Sequence, residues 1–240
     1  MATPYNETEE KREQIKRMFN HIAPKYDSLN RLISWGMDRK WRSKAIQLLR
    51  PYNPSLVLDI ATGTGDFAIG MMHEQPSIQR IEGIDISEEM LRLAKEKIRT
   101  EGLENGIFLH KGDATDLPFE DNRFEAVTIA FGLRNVDHIN IALREAHRVL
   151  KHESPIVILE LTEPSNMLMR ACYKLYAHGI LPTIGRLFSG DNKAYNYLPE
   201  SIGDVPQRNQ LVDEMTKAGF REAFFRSLPM GVAAIYVGLK

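Results

Sequence analysis

The chemistry-bearing residues of this chain gather around one glycine-containing stretch, Asp59-Ile60-Ala61-Thr62-Gly63-Thr64-Gly65-Asp66-Phe67-Ala68. It follows a short apolar run and precedes a helical pattern. Gly63 and Gly65 let a ligand approach bare backbone, and the helix N-terminus offers free N–H groups. A nucleotide-like ligand suits such a turn. Gly63-x-Gly65-x-x-Ala68 satisfies the dinucleotide pattern, and Asp85 stands at about the spacing of a ribose-binding acid. The neighbouring charges favour a different ligand: Asp59 and Asp66 surround the turn with negative charge that repels a pyrophosphate and attracts a cation. S-adenosylmethionine carries a sulfonium and an ammonium, and it fits this loop better than a nicotinamide dinucleotide does. Asp85 and Asp113 end the next two strand-like runs, and ligands of open α/β sheets lie across the carboxyl ends of strands. A carboxylate at Asp85 can accept from both vicinal hydroxyls of a ribose, and Asp113 can accept from an adenine amino group. Singly, such acids serve equally well as helix caps or turn residues. Three at consecutive strand ends, beside a Gly-x-Gly turn, mark a ligand cleft.

The elements that must position these groups follow from hydrophobic period. Ile15, Met18, Phe19 and Ile22 share one face of an amphipathic helix that Ala23-Pro24 is expected to end. A second helical stretch runs from about Tyr26 to Leu49, broken near Ser34-Trp35-Gly36. At Leu56 to Ile60 the pattern changes to a strand buried on both faces. Alternation then continues: strands at Arg80 to Asp85, Ile107 to His110, Ala126 to Ala130 and Ile156 to Leu161, with helices at Glu88 to Arg99 and Ile139 to Leu150. Between Asn166 and Gln210 the pattern is irregular and interrupts the sheet. A helix from Gln207 to Ala218 and strands at Phe220 to Ser227 and Val232 to Leu239 close the chain, the last two antiparallel because Leu228 to Gly231 is too short for a crossover. The expected fold is therefore α/β: a doubly wound, mostly parallel, seven-stranded Rossmann-like sheet with an antiparallel last strand and a helical N-terminal leader. Residues 1–50 make the leader or lid, and residues 51–240 the ligand-binding domain with an insert at about 166–206.

Composition bounds the function. With 240 residues, 43% hydrophobic and 26% charged, the chain has the make-up of an ordinary globular domain, not of a disordered or fibrous protein. A net charge of -1 provides no global field for nucleic acid. The single cysteine, Cys172, excludes an internal disulfide and a paired-cysteine metal site, which fits a reducing cytoplasm, and no metal is implied. Met1 to Arg12 is too polar for a signal peptide, and no apolar run approaches the roughly 20 residues of a bilayer span.

Further motifs narrow the reading. Lys25-Tyr26-Asp27-Ser28-Leu29-Asn30 runs on to Ser34-Trp35-Gly36 and Trp41, and Gly112-Asp113-Ala114 is followed by Leu117-Pro118-Phe119. Phe131-Gly132-Leu133-Arg134-Asn135-Val136, Arg148-Val149-Leu150-Lys151, Glu160-Leu161-Thr162-Glu163-Pro164 and Tyr195 to Ile202 complete the set. In these residues nearly the whole chain resembles the class I S-adenosylmethionine-dependent methyltransferases, and within them the quinone-biosynthesis C-methyltransferases that act on demethylmenaquinol and related benzoquinols. The glycine turn alone identifies only the superfamily. Departures are local: His152-Glu153-Ser154 replaces a Pro-Gly-Gly of many members, Asp38 a histidine, Ala130 a small hydroxyl residue, and Met230 and Tyr236 a glycine and a histidine. The resemblance implies cofactor contacts at Thr64, Asp85, Asp113 and Ala114, the last two flanking the adenine, which join Asp59, Gly63 and Gly65 of the turn itself.

On this reading the enzyme aligns a donor methyl with a ring carbon and excludes water. The ring becomes a stronger nucleophile when a neighbouring hydroxyl, of pKa about 10, loses its proton. Arg134 is the residue expected to stabilise that phenolate and to hold a water that accepts the proton; Asn135, Tyr26, Asp27 and Asn30 complete the acceptor side. A plainer role for Tyr26 and Asp27 is to pin the leader to the sheet, and for Arg134 a surface ion pair. His138, His147 and His152 receive no role. The apolar insert, Met167 to Phe188, is the candidate path for a polyprenyl tail, and Arg170, Lys174 and Arg186 can seat it weakly on the inner face of a membrane. A homodimer is compatible with the sequence. Competing readings are a methyltransferase for a ubiquinone-pathway benzoquinol or another small molecule, a nicotinamide-dependent oxidoreductase, and a non-catalytic S-adenosylmethionine-binding subunit.

Overall fold

Short apolar runs, buried on both faces at the centre and joined by right-handed crossovers, place seven strands in one sheet of the computed structural model, in the order β3-β2-β1-β4-β5-β7-β6. The strands are β1 (Leu56–Ile60), β2 (Arg80–Asp85), β3 (Ile107–Lys111), β4 (Ala126–Ala130), β5 (Pro155–Leu161), β6 (Arg221–Ser227) and β7 (Ala233–Leu239). The first five pair in parallel, and β7 runs antiparallel to both β5 and β6, as the short final connection requires. The structure describes residues 2–5, 8–176, 179 and 192–240. Ile180, Leu181, Arg186 and Phe188 of the insert lie outside them.

Alternate residues of each strand feed opposite sides. Leu58, Ile60, Val127, Ile129 and Ile158 pack with α5 (Ile139–Val149) and α8 (Asn209–Lys217). Val57, Ile81, Val157 and Leu159 pack with α2 (Met37–Gln47), α3 (Asp66–Glu74) and α4 (Glu88–Thr100) on the other side. Each central strand is thereby dry on both faces. The order leaves β1 and β4 adjacent, with crossovers departing to opposite sides, so the crevice opens at their carboxyl ends.

Two elements differ from the sequence expectation. Helix α1 spans Lys11–Ile33 and continues through Pro24, which the local pattern makes a terminus. A proline inside a helix forfeits one backbone bond and costs about 3 kcal/mol. Burial on both sides of it offsets that cost: Ile15 and Met18 before Pro24, and Leu29 after it, share one apolar cluster with Tyr197. The chain does break at Ser34-Trp35-Gly36, where Trp35 and Gly36 take positive φ values of 54° and 71°. The insert that reads as irregular contains two helices, α6 (Met167–Leu175) and α7 (Asn192–Asp204). Pro199 inside α7 masks its period, and Tyr197 from α7 completes the cluster under α1.

Candidate active site

At the carboxyl ends of β1, β2 and β4 lies a cleft of about 240 Å³, roofed by Arg12, Ile15, Phe19 and Tyr26 of α1. Its floor carries Gly63, Asp85, Asp113 and Ala114. Asp85 accepts from the backbone N–H groups of Gly63 (2.8 Å) and Ser87 (2.9 Å). Desolvation raises its pKa in spite of those donors. A carboxylate has about four acceptor positions, so Asp85 retains capacity for a ligand's hydroxyls. Asp113 accepts from both the backbone N–H and the hydroxyl of Thr115 (2.8 Å each), and its other oxygen pairs with Arg12 Nε at 3.1 Å. Gly63 has φ +56°, and a Cβ built there meets nothing closer than 4.0 Å, so the space beside the bare backbone is open.

Asp59 and Thr64 line a separate side chamber of about 30 Å³ rather than the main cleft. Asp59 is buried and accepts from the Thr62 and Thr128 hydroxyls, both at 2.7 Å. Burial pushes its carboxyl up to about 6 even against these two donors. The expected second negative charge is compensated. Asp66 pairs with Lys97 and, at 3.7 Å, with Arg42, and these cations hold it below the usual carboxylate range although burial opposes them. The loop's field is therefore that of Asp59 and Asp85, not of Asp59 and Asp66.

Lys97 is the residue that sequence reasoning missed. Its Nζ donates to Asp27 (2.7 Å), to the Thr64 hydroxyl (3.1 Å) and to Asp66. The Thr64 hydroxyl in turn donates to Asp27 at 2.6 Å. Thr64 and Asp27 thus face each other across the α1–loop contact, and neither lines the main cleft. In the last turn of a charged surface helix a lysine looks solvated and complementary to the dipole, so nothing in the sequence singles it out. Gly65 has a structural place: at φ +81° it caps α3, and a Cβ there would lie 3.3 Å from that of Ala94.

On the far side of Tyr26 and Phe131 opens a second cavity of about 290 Å³, predominantly apolar, whose wall includes Asn30, Trp41, Arg134 and Tyr173. Tyr26 and Phe131 line the cleft, the side chamber and this cavity alike. Phe131 reaches that position with φ 59°, its N–H bonded to the Leu159 carbonyl at 2.7 Å. Such a backbone in a non-glycine residue is strained and needs surrounding support. Arg134 is buried; its Nη1 donates to Glu160 at 2.9 Å and to the Phe131 carbonyl, and its backbone N–H donates to Glu160 at 3.2 Å. Its Nε has no partner among the described residues. Burial by itself disfavours the guanidinium, yet Glu160, Tyr26 and Tyr197 hold its pKa above the ordinary value. Asn135 lines the cleft and accepts from the Tyr197 hydroxyl at 3.3 Å. Burial raises the tyrosine pKa values around Arg134, Tyr173 to about 12 and Tyr197 further still.

The fold thus brings Gly63, Asp85, Asp113, Ala114, Tyr26 and Asn135 to one cleft, and Arg134 to the adjoining cavity. Among the described residues no group of three or more His, Cys, Asp or Glu is placed to hold a metal ion.

Comparison with known proteins identifies the family. The model of the ubiE/COQ5 methyltransferase family matches residues 7–240. A demethylmenaquinone methyltransferase of Porphyromonas gingivalis is 50% identical over 238 residues, covering 99% of this chain and 97% of the relative. A ubiquinone/menaquinone biosynthesis C-methyltransferase UbiE of Geotalea uraniireducens is 42% identical over 231 residues, covering 96% of this chain and 98% of the relative. Among solved structures, a SAM-dependent methyltransferase from Thermotoga maritima superposes with a TM-score of 0.63 at 22% identity, covering 93% of this chain and 99% of that one; this likeness concerns the fold.

Two measurements test the electrostatics. Asp59 titrates near 3.8 when unfolded and about 6 when folded, so its contribution to stability is complete below the lower value and is lost as pH rises through the higher one. Relative to Asp59→Asn, the wild-type protein should lose about 2 kcal/mol of unfolding free energy between pH 4 and pH 7, read from urea titrations at each pH. Parallel curves would show that Asp59 is not penalised by burial. Lys97→Met leaves Asp27 and Asp66 without their shared cation; unfolding free energy should fall by about 1–3 kcal/mol and ligand affinity of the cleft several-fold. Unchanged values in both assays would mean that solvent screens the cluster.

Proposed function

The chain belongs to the ubiE/COQ5 methyltransferase family, and from that membership we propose that it converts 2-demethylmenaquinol to menaquinol, with S-adenosylmethionine in the cleft and the quinol in the apolar cavity. The observation that carries this reading is the pair Tyr26 and Phe131, which forms a wall common to both spaces. A donor and an acceptor placed on either side meet there without solvent between them.

The residues present fit the donor. Asp85, with acceptor capacity to spare, suits the ribose hydroxyls. Asp113 and Ala114 suit the adenine, whose amino group shares or displaces the Arg12 contact. The open backbone at Gly63 and the buried acid Asp59 suit the cationic methionine portion. When bound, S-adenosylmethionine supplies an electrophilic methyl on a sulfonium. Thr64 and Gly65 support this site by shaping the turn. Residues 1–50 act as a lid: α1 roofs the cleft, and Asp27 anchors it through Lys97 and Thr64 rather than touching the acceptor.

On the acceptor side the buried guanidinium of Arg134 stabilises charge that develops on the quinol oxygen, in a cavity poor enough in water for that interaction to be strong. Glu160 holds Nη1, which leaves Nε as a donor in search of a partner. Tyr26, Asn30 and Asn135 orient the ring. One chain supplies both spaces, so a homodimer adds nothing the chemistry needs. A ubiquinone-pathway benzoquinol is a second acceptor reading, supported by the name of the Geotalea relative.

An apolar path leads outward from the cavity. Trp35, 83% exposed, and Met230, 47% exposed, stand at its rim, and on α6 Met167 and Leu168 are 87% and 73% exposed. Large apolar side chains facing water at the mouth of a lipid-sized cavity suit a polyprenyl tail and a weak seat on the inner face of the cytoplasmic membrane. Among the described residues no helix is long and apolar enough to cross a membrane.

Incubation with methyl-labelled donor and a panel of reduced and oxidised naphthoquinones and benzoquinones, followed by lipid extraction, tests the reaction. Label should enter the reduced demethylnaphthoquinol, and label confined to other acceptors refutes the assignment. Arg134→Ala should lower kcat by about 10²–10³-fold with donor affinity within threefold by calorimetry. Sedimentation with anionic vesicles should fall for Trp35→Ser/Leu168→Ser, and equal sedimentation of variant and wild type removes the membrane seat.

A further inference from the structure

Loss of the quinol's hydroxyl proton needs a basic group, and the residues assigned above do not include one. Arg134 is a cation held protonated by its surroundings. Glu160 is engaged through both oxygens, by Arg134 Nη1 and the Leu161 N–H at one and by the Arg134 N–H at the other. Among the described residues lining the acceptor cavity there is one carboxylate, Asp38, in the first turn of α2 and only 4% exposed. We propose that Asp38 is the group that accepts the quinol's hydroxyl proton during methyl transfer. This rests on the quinol reading of the cavity.

The side chain is held in one orientation without being used up. Oδ1 accepts from the Ser34 hydroxyl at 2.8 Å and Oδ2 from Arg42 Nη1 at 2.6 Å. With two acceptor positions per oxygen, each still has room for a substrate hydroxyl. Arg42 is itself fixed between Asp38 and Asp66 (3.7 Å), its guanidinium 5.5 Å from the Phe131 ring centroid. The cation that orients Asp38 therefore sits against the wall shared with the donor cleft. Other titratable or charged groups facing the same cavity are Tyr26 from α1, Arg134 after β4, and Tyr173 and Tyr176 from the insert.

The step balances as follows. The quinol O–H bond breaks, its proton passes to Asp38, and the oxygen's electron pair moves into the ring. The ring carbon forms a bond to the donor methyl as the methyl–sulfur bond breaks, its electron pair staying on sulfur. The ring carbon, now bearing both methyl and hydrogen, loses that hydrogen as a proton to water. The ring becomes aromatic again, and the oxygen takes back the proton from Asp38. One proton is released per methyl transferred, and Asp38 ends ionised.

Asp38 also forms an i,i+4 ion pair with Arg42, so a fall in activity alone would not separate catalysis from structure. Asp38→Asn, Asp38→Glu and Asp38→His are compared with wild type for donor affinity by calorimetry and for kcat and KM toward demethylmenaquinol across pH 5–9. Asp38→Asn should lose at least about 10²-fold in kcat with donor affinity within threefold. Asp38→His should recover part of that rate, with an acid limb of kcat/KM in the range of an imidazole, higher than in the wild-type protein. A limb that does not move in Asp38→His, or kcat of Asp38→Asn within threefold of wild type, overturns the proposal. If Asp38→Asn also loses donor binding, the Asp38→Glu protein decides: it keeps both a charge beside Arg42 and a basic carboxylate, so turnover should return with donor binding, and donor binding restored with kcat no higher than that of Asp38→Asn overturns the assignment. Absence of wild-type turnover with any quinol refutes the quinol reading instead.

Discussion

The site depends on the cation of Lys97, which ties the leader to the sheet. Its ammonium meets Asp27 of α1, Thr64 of the glycine turn and Asp66 of α3. Three partners from three segments, all partly shielded from water, make a stronger junction than an isolated surface pair. With that junction closed, Tyr26, next to Asp27, stands between cleft and cavity, and Ile15 and Arg12, about three and four turns earlier, lie over the cleft. A leader joined to the sheet only by apolar contacts would have greater freedom to slide along the groove. The short hydrogen bond from Thr64 to Asp27 fixes its register.

Charge is sorted by compartment. Asp59 and Asp85 stand at the sheet ends, on the side that the proposed reaction gives to the sulfonium and the ammonium. Burial keeps both poised to gain from a cation, since each has a raised pKa with no cationic partner within hydrogen-bonding distance. Arg134 stands beyond Phe131, on the side that the proposed reaction gives to the acceptor oxygen. In the proposed transfer positive charge leaves sulfur as the acceptor loses its negative charge, and each side of Phe131 carries the charge complementary to its reactant. Phe131 keeps the two fields apart, and its strained backbone is supported by the Leu159 carbonyl on one side and Arg42 over its ring on the other.

Several features that local sequence reading misjudged have one cause, contact between segments far apart in the chain. Pro24 ends a helix by local rules, yet packing of Ile15, Met18 and Leu29 against Tyr197 of α7 carries the helix through it. Asp66 reads as a lone acid at a helix start, where it favours cations, but Lys97, 31 residues later, neutralises it. Thr64, a cofactor contact by resemblance, donates its hydroxyl to a carboxylate 37 residues earlier, a bond that no local pattern announces.

What the amino-acid sequence by itself determined was the fold class, the positions of the strand ends and the grouping of Gly63, Asp85, Asp113 and Ala114 at a nucleotide cleft. Strand period is local, and the right-handed crossover rule leaves few ways to order such strands, so the crevice follows from the one-dimensional pattern. Tertiary structure alone decided which acids keep their charge uncompensated, which side of Phe131 Arg134 occupies, and that Asp38 borders the apolar cavity. Those outcomes depend on ion pairs and burial between elements tens of residues apart. Coulomb energy and desolvation follow distance in space and exposure to water, neither of which is written in the order of residues along the chain.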